Sequence, residues 1–345
     1  MNAKRAEVLV GSVLANDDHD TGSWHPERPA RLPAFVAGIE SGELGDLTGD
    51  LVTRQARRDE LERVHDPRYL DAVEQFVAVG GGNLDPDTVA SAGSWTTALW
   101  AAGSALAAVE ALQRGEAAAA VVGVRPPGHH ATGDRAMGFC LLNNVAVAAG
   151  ALAAAGERVL IFDWDVHHGN GTQDIFWNDP RVLYASFHQH PAYPGSGRAH
   201  ETGGPEAPGL TVNVPLPPGA TGDVALAAFD EVLLPAAEAF DPTWVLISAG
   251  YDAHRDDPLA ELQWSSGDYA DLTRRTMALA PEPGRVVALL EGGYDLDALS
   301  RSVAATVATL AGVDRRPEAA TSGGPGRAEV DAVVRIRAEH GGTPA

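Results

Sequence analysis

The sequence predicts an α/β protein built on one mostly parallel sheet of about eight strands. Three observations lead there. Short apolar runs of strand length alternate with segments of helical period along most of the chain. Four of the strand candidates run into loops dense in Asp, His, Gly and Pro, as expected where an open sheet gathers a ligand site at its carboxyl edge. The 345 residues are 45% apolar, enough for one large core, and no linker or repeat divides them.

Taken in order, residues 7–13 form a first strand, followed by a polar loop at 16–27 that carries His19 and His25-Pro26. Helical spacing runs over 31–39, and residues 51–54 read as a short strand. Residues 59–64 and 67–79 read as helices, the second opened by Pro67, whose missing N–H costs nothing in a first turn. Gly80-Gly81-Gly82 ends it, and Leu84-Asp85-Pro86-Asp87 turns the chain into an Ala-rich helix at 94–112. Strands are expected at 117–124, 158–163, 182–187, 210–214, 244–249 and 286–291. Helices are expected at 143–155, 223–239, 267–279 and 296–310, with long loops at 125–142 and 188–209. Residues 1–312 read as a single domain, and 313–345, rich in Pro, Gly and Arg, as a peripheral tail with a frayed helix at 328–339.

Charge narrows the function. A net charge of −22 argues against a nucleic-acid backbone and against anionic membranes, both of which need a basic face. It is compatible with a cationic substrate. Cys140 is the only cysteine, so no intramolecular disulfide forms and a reducing, cytoplasmic location is expected. The apolar run at 8–15 is broken by Gly11 and Ser12 and reads as a strand rather than a signal peptide, and no run reaches membrane-spanning length. Homo-oligomerisation is left open.

The chemistry concentrates at VLIFDWDVHHGNG (159–171). Four apolar residues make a buried strand, and two carboxylates and two imidazoles follow at its end. Asp165 and His167 are two apart, so on an extended backbone they point the same way and can share a cation. A single Asp or His there would more often cap a loop; this density favours a metal. A catalytic zinc needs a third ligand, for which Asp257, Asp256 and Asp252 all qualify by residue type. His129-His130 in a Pro-Pro-Gly loop supply a candidate base, and Asp163 and Asn170 are natural partners that would drive the two imidazole pKa values apart. Tyr294, after two glycines, can donate to a developing oxyanion. Phe139, Tyr193 and Trp264 sit in glycine-rich loops able to line an apolar slot.

These motifs also carry a resemblance. RPPGHHA (125–131), GFCLLNNVAVAA (138–149), DWDVHHGNGTQ (163–173) and EGGYDL (291–296) resemble the zinc-dependent histone deacetylase and acetylpolyamine amidohydrolase family. SAGYDAHRDDPLAELQ (248–263) is similar to the bacterial class II-like histone deacetylase-like amidohydrolases. The likeness spans roughly residues 25–311. It implies an arginase/deacetylase fold, a three-layer αβα arrangement, and hydrolysis of acetylated amines. By position it implies zinc on Asp165, His167 and Asp257, His130 as general base, His129 as its charged companion, and Asp163 and Asn170 as their partners. Tyr294 matches the catalytic phenol; Gly138, Phe139 and Tyr193 match the acyl-lysine tunnel. Asp87 matches a carboxylate on the rim and Arg31 a buried arginine near the acetate exit. A structural potassium ion is implied at the Asp163 side chain, the carbonyls of Asp165 and His167, Ser186 and Phe187.

Trp264 stands where the resemblance places a rim residue that is Glu in polyamine-selective relatives, which favours acetyl-lysine substrates over acetylpolyamines. An acetylpolyamine or other small-molecule deacylase, as in acetoin metabolism, is the alternative. A catalytically weak acyl-lysine binding protein and a binuclear manganese ureohydrolase are the remaining readings.

Overall fold

The computed structural model describes residues 7–339, and Lys4, Arg5 and the last six residues lie outside them. Ten strands form: β1 (Val8–Ser12), β2 (Thr48–Asp50), β3 (Gly82–Asn83), β4 (Val89–Ala90), β5 (Ala119–Gly123), β6 (Val159–Asp163), β7 (Val182–Gln189), β8 (Thr211–Leu216), β9 (Trp244–Ala249) and β10 (Val286–Leu290). Eight make one parallel sheet in the order β2-β1-β5-β10-β9-β6-β7-β8, and β3 and β4 form a small antiparallel ribbon. The central strands are apolar and buried along their whole length, as a parallel sheet covered on both faces requires. Helices fall into two sets that pack chiefly among themselves: Ser94–Gln113 against Asn144–Ala154, and Leu296–Leu310 against Arg31–Ser41 and Ser266–Met277. Alanine makes the first set thin enough for close approach. A Cβ on Gly103 would meet the Arg54 carbonyl oxygen at 2.1 Å.

Helix starts follow local chemistry. Asn143 accepts the Ala146 N–H and Asp295 accepts the Ala298 N–H, each cap contributing about 1 kcal/mol. These two helices begin just behind the loops that carry the histidine pair and Tyr294, so their caps also fix where those loops end.

The structure departs from expectation in four places. The short edge strand is Thr48–Asp50, not 51–54: an edge strand bonds on one side only and needs no apolar alternation. The helix expected at 59–64 is a single turn, Arg58–Leu61, held by Arg54 and Arg57 on the buried Glu60. The helix expected at 223–239 widens into a π-turn at Phe229–Leu233 just before Pro235, which has no N–H to offer the regular ladder. The C-terminal segment is docked rather than peripheral. Val330 and Val333 are buried, and Arg337 donates to the carbonyls of Gly209 and Thr211 along the edge strand β8.

Candidate active site

The loops after β5, β10, β9 and β6 converge, because these four strands are adjacent in the sheet. Arg125 leaves β5 fully buried, paired with Glu27 at 2.6 Å and Asp17 at 2.5 Å. Glu291, at the end of β10, accepts the N–H groups of Gly128 at 2.6 Å and His129 at 3.1 Å. Its other oxygen accepts from the Ser248 hydroxyl on β9 at 3.1 Å. Burial pushes the Glu291 carboxyl up to about 7. It braces the histidine loop against two strands.

The two histidines receive different partners. His129 Nδ1 lies 3.0 Å from Asp163 Oδ2, and His130 Nδ1 lies 2.8 Å from Asn170 Oδ1. An amide oxygen can only accept, so His130 carries its proton on Nδ1 and leaves Nε2 bare. Burial lowers both imidazoles, but the carboxylates of Asp165 and Asp163 outweigh it at His129 and hold that ring well above its ordinary value. At His130 burial and the neighbouring charges of His129 and His167 outweigh the pull of Asp165 and Asn170 and hold that ring well below. The rings meet at a tilt of 43° with centroids 4.0 Å apart. The surroundings thus push the two imidazole pKa values apart.

Asp165 and His167 lie beyond the end of β6, in a bend rather than on extended backbone, and a turn brings them together: Asp165 Oδ1 accepts the His167 N–H at 2.9 Å. His167 Nδ1 is 3.2 Å from Asp165 Oδ1 and equally far from Asp252 Oδ2. Ligand-type atoms of Asp165, His167 and Asp252 all lie within 4.8 Å of one another. Asp257 is not in this group. Its oxygens accept N–H groups from Leu259 at 3.0 Å and Tyr294 at 2.6 Å, while burial and the Asp252 charge push it up to about 7. Burial lowers the His167 imidazole, but its bonds to Asp165 and Asp252 outweigh that and raise it to about 10. Several buried carboxylates around one imidazole want a cation, and the donor set fits a divalent metal.

Above the cluster opens a channel of about 190 Å³ lined by Asp87, His130, Gly138, Phe139, His167, Tyr193, Leu259 and Tyr294. The His130 and Tyr193 rings meet edge to face at 5.1 Å, and those of Phe139 and Tyr294 at 5.9 Å. Gly138 has φ +56° and sits so close that a Cβ would meet the His130 ring at 2.4 Å. Only glycine leaves the His130 ring room beside the channel.

This geometry has known counterparts. Residues 25–310 match the histone deacetylase domain family. The chain belongs to the histone deacetylase family. A probable deacetylase of Archaeoglobus fulgidus is 39% identical over 90% of each chain. A histone deacetylase-like amidohydrolase of Pseudomonas aeruginosa is 39% identical over 78% of this chain and 71% of its own. The human polyamine deacetylase HDAC10 is 37% identical over 90% of this chain and 48% of its own. Among solved structures, the HDA15 HD domain superposes with a TM-score of 0.89 at 38% identity, covering 97% of this chain and 95% of that one. The fold is thus the arginase/deacetylase fold, and the protein is a deacetylase.

Within this deacetylase, His129, His130, Asp163, Asp165, His167, Asn170 and Tyr294 gather at one point, and Gly138, Phe139, Tyr193 and Asp87 line the channel or its mouth. Arg31 is buried behind it, with its guanidinium 5.0 Å from the Tyr294 ring centroid and bonds to the carbonyls of Glu291 and Gly293. Trp264 is not on the rim. It is fully buried and packs on Tyr269, because the chain at 262–264 turns inward to bridge to His254; the apolar side chain at the mouth is Leu259. Asp252, a rival third ligand by residue type, lies against His167, and Glu291 has a bracing role that the residue pattern did not assign. A carboxylate directly after a fully apolar strand is the signal that pointed to Glu291. His168 binds Ser196 and Gln173, and burial lowers it to about 3, which makes it a structural pin for the 188–209 loop. Among the described residues no helix is long and apolar enough to cross a membrane.

Proposed function

We propose that this chain hydrolyses the amide of acetylated lysine side chains, using zinc held by Asp165, His167 and a carboxylate of the 252–257 turn. The single observation that carries it is the narrow channel lined by His130 and Tyr294 beside a cation-ready cluster, with the His129 ring against His130. Zinc would supply a Lewis acid for the acyl carbonyl and lower the pKa of water. Motif position favours Asp257 as the third ligand; of its two rivals by residue type, Asp252 is the one whose carboxylate lies with Asp165 and His167.

The apolar walls of Phe139 and Tyr193 receive the lysine stem. His130, bare at Nε2, takes a proton from the attacking water. Tyr294 donates to the carbonyl oxygen as it gains charge. His129, charged and oriented by Asp163, is placed to return a proton to the leaving amine. A potassium ion at Asp163, Asp165, His167, Ser186 and Phe187 is supported by the register of β6 and β7, which sets Asp163 beside Ser186.

An acetylpolyamine is the second reading, favoured by Asp87 at the mouth and the net charge of −22. Steady-state rates on acetyl-lysine peptides and acetylputrescine, measured side by side, separate the two. A kcat/KM at least tenfold higher for acetylputrescine would reject the protein-lysine assignment.

A further inference from the structure

Residues beyond the matched domain reach the site. The family match ends at 310, yet Glu318 returns to the turn that connects Asp252 to Asp257. Its Oε2 lies 2.8 Å from Nε2 of His254, which is fully buried, and it also accepts the Ser266 N–H at 3.1 Å. Its Oε1 pairs with Arg255 at 2.5 Å.

The other His254 nitrogen fixes the tautomer. Nδ1 accepts the backbone N–H of Asp256 at 3.1 Å, so the ring proton sits on Nε2 and points at Glu318. The His254 carbonyl accepts the N–H of Asp257 at 2.9 Å, and its own N–H is given to the Tyr251 carbonyl at 3.3 Å. The imidazole therefore closes the turn from inside. The next link is Asp257, whose carboxylate takes the N–H groups of Tyr294 and Asp295. One chain of contacts thus runs from the C-terminal segment through His254 and Asp257 to the backbone of Tyr294.

Ser265, Asp268 and Thr321 anchor the approach of this segment. The Ser265 hydroxyl donates to the Ala319 carbonyl at 2.7 Å, and Asp268 accepts the Thr321 N–H at 3.0 Å. Arg316, paired with Asp271 at 2.7 Å, anchors the segment on the other side, so Glu318 is held before and after and is not a drifting surface acid. Burial alone would raise its carboxyl, but the bonds from His254 and Ser266 hold it at about 2, so it is charged throughout the working range.

We infer that Glu318 is a positioning residue for the deacetylase site, locking the His254 turn so that Asp257 is presented as a metal ligand and Tyr294 is held over the channel. The inference rests on the proposal that Asp257 binds zinc. An ion pair of this exposure would ordinarily contribute little to stability. Partners that orient a metal ligand are worth more, typically 10–100-fold in metal affinity or activity.

The test is zinc affinity of the full-length, metal-free protein, measured by chelator competition alongside its melting temperature and peptide kinetics. Glu318→Ala is expected to weaken zinc by about 10–100-fold and to lower kcat with little change in KM. Glu318→Gln keeps an amide oxygen for the His254 N–H and should recover most of both. Arg255→Ala removes only the outer ion pair and should bind zinc like the wild type. If Glu318→Ala does not fold, Glu318→Asp, one methylene short of His254, takes its place with the same expected loss.

Wild-type zinc affinity in Glu318→Ala, beside a clear loss in Asp257→Ala, overturns the inference and leaves the ligand assignment standing. A lower melting temperature with unchanged zinc affinity likewise overturns it, since that is what a structural clamp alone would do. Unchanged zinc affinity in Asp257→Ala overturns the ligand assignment and the inference with it.

Discussion

Replacing Tyr294 by Phe removes one oxygen from the channel and almost nothing else. The ring keeps its edge contact with Phe139 and the Arg31 guanidinium above its face, and its backbone N–H stays on Asp257. Burial and the Asp252 charge hold the phenol well above its ordinary pKa, so in the wild type it remains a donor at any practical assay pH. In the proposed role its hydrogen bond is made to the oxyanion, and only weakly to the ground-state carbonyl. The loss should therefore appear in kcat. Removing one such donor costs about 10²–10³ in rate, or about 2.7–4 kcal/mol. KM should stay within about threefold, zinc affinity should not move, and stability should change by less than about 0.5 kcal/mol. Acetate release from an acetyl-lysine peptide, followed over a substrate series, measures all the kinetic terms. A kcat within threefold of wild type, or a loss carried entirely in KM, would refute the assigned role.

Four further outcomes follow from the same geometry. His65 gives Nδ1–H to the Thr132 carbonyl and accepts the Asn143 N–H at Nε2, so it has no place for a second proton, and burial lowers it to about 4. Its folded pKa lies below the unfolded value, so its contribution is complete above about pH 6.5 and is lost as pH falls towards 4; roughly 2 kcal/mol should be gone by pH 5, read from urea midpoints, with His65→Gln flattening the profile. Gly138→Ala should cut activity at least about 100-fold through the displaced His130 ring while zinc titration remains normal. Trp264→Ala should destabilise by about 3–5 kcal/mol and leave the ratio of peptide to acetylputrescine rates unchanged; a rim residue would do the opposite. Leu259→Glu, which places a carboxylate at the mouth, should favour acetylputrescine by up to about fivefold at low salt, since an exposed ion pair is worth about 1 kcal/mol at most.

Much of the site could be read from the chain because ligand and proton-transfer residues come in short runs whose spacing follows from the strand they terminate. DWDVHHGNG and RPPGHH announce a strand end with its chemistry attached, and residue type names Asp163 and Asn170 as partners of the histidine pair; the resemblance said which meets which, and the structure has Asp163 at His129 and Asn170 at His130. Trp264 was misread for the opposite reason. Nothing in a tryptophan between Gln263 and Ser265 says whether the loop turns outward or inward, and only the bridge to His254 decides it. The edge strand at Thr48–Asp50 escaped notice because one-sided pairing leaves no mark in side-chain pattern.

The sequence by itself determined the α/β class, the order of most elements and which side chains are candidates for the site, since burial periodicity and residue chemistry are local properties. The tertiary structure decided what depends on distance: that β5, β10, β9 and β6 are neighbours, that Asp252 lies against His167, that Glu291 braces the histidine loop, and that Glu318 reaches back to His254. Those contacts join residues between 64 and 163 positions apart, and no local rule specifies which buried carboxylate will meet which imidazole once the sheet has closed.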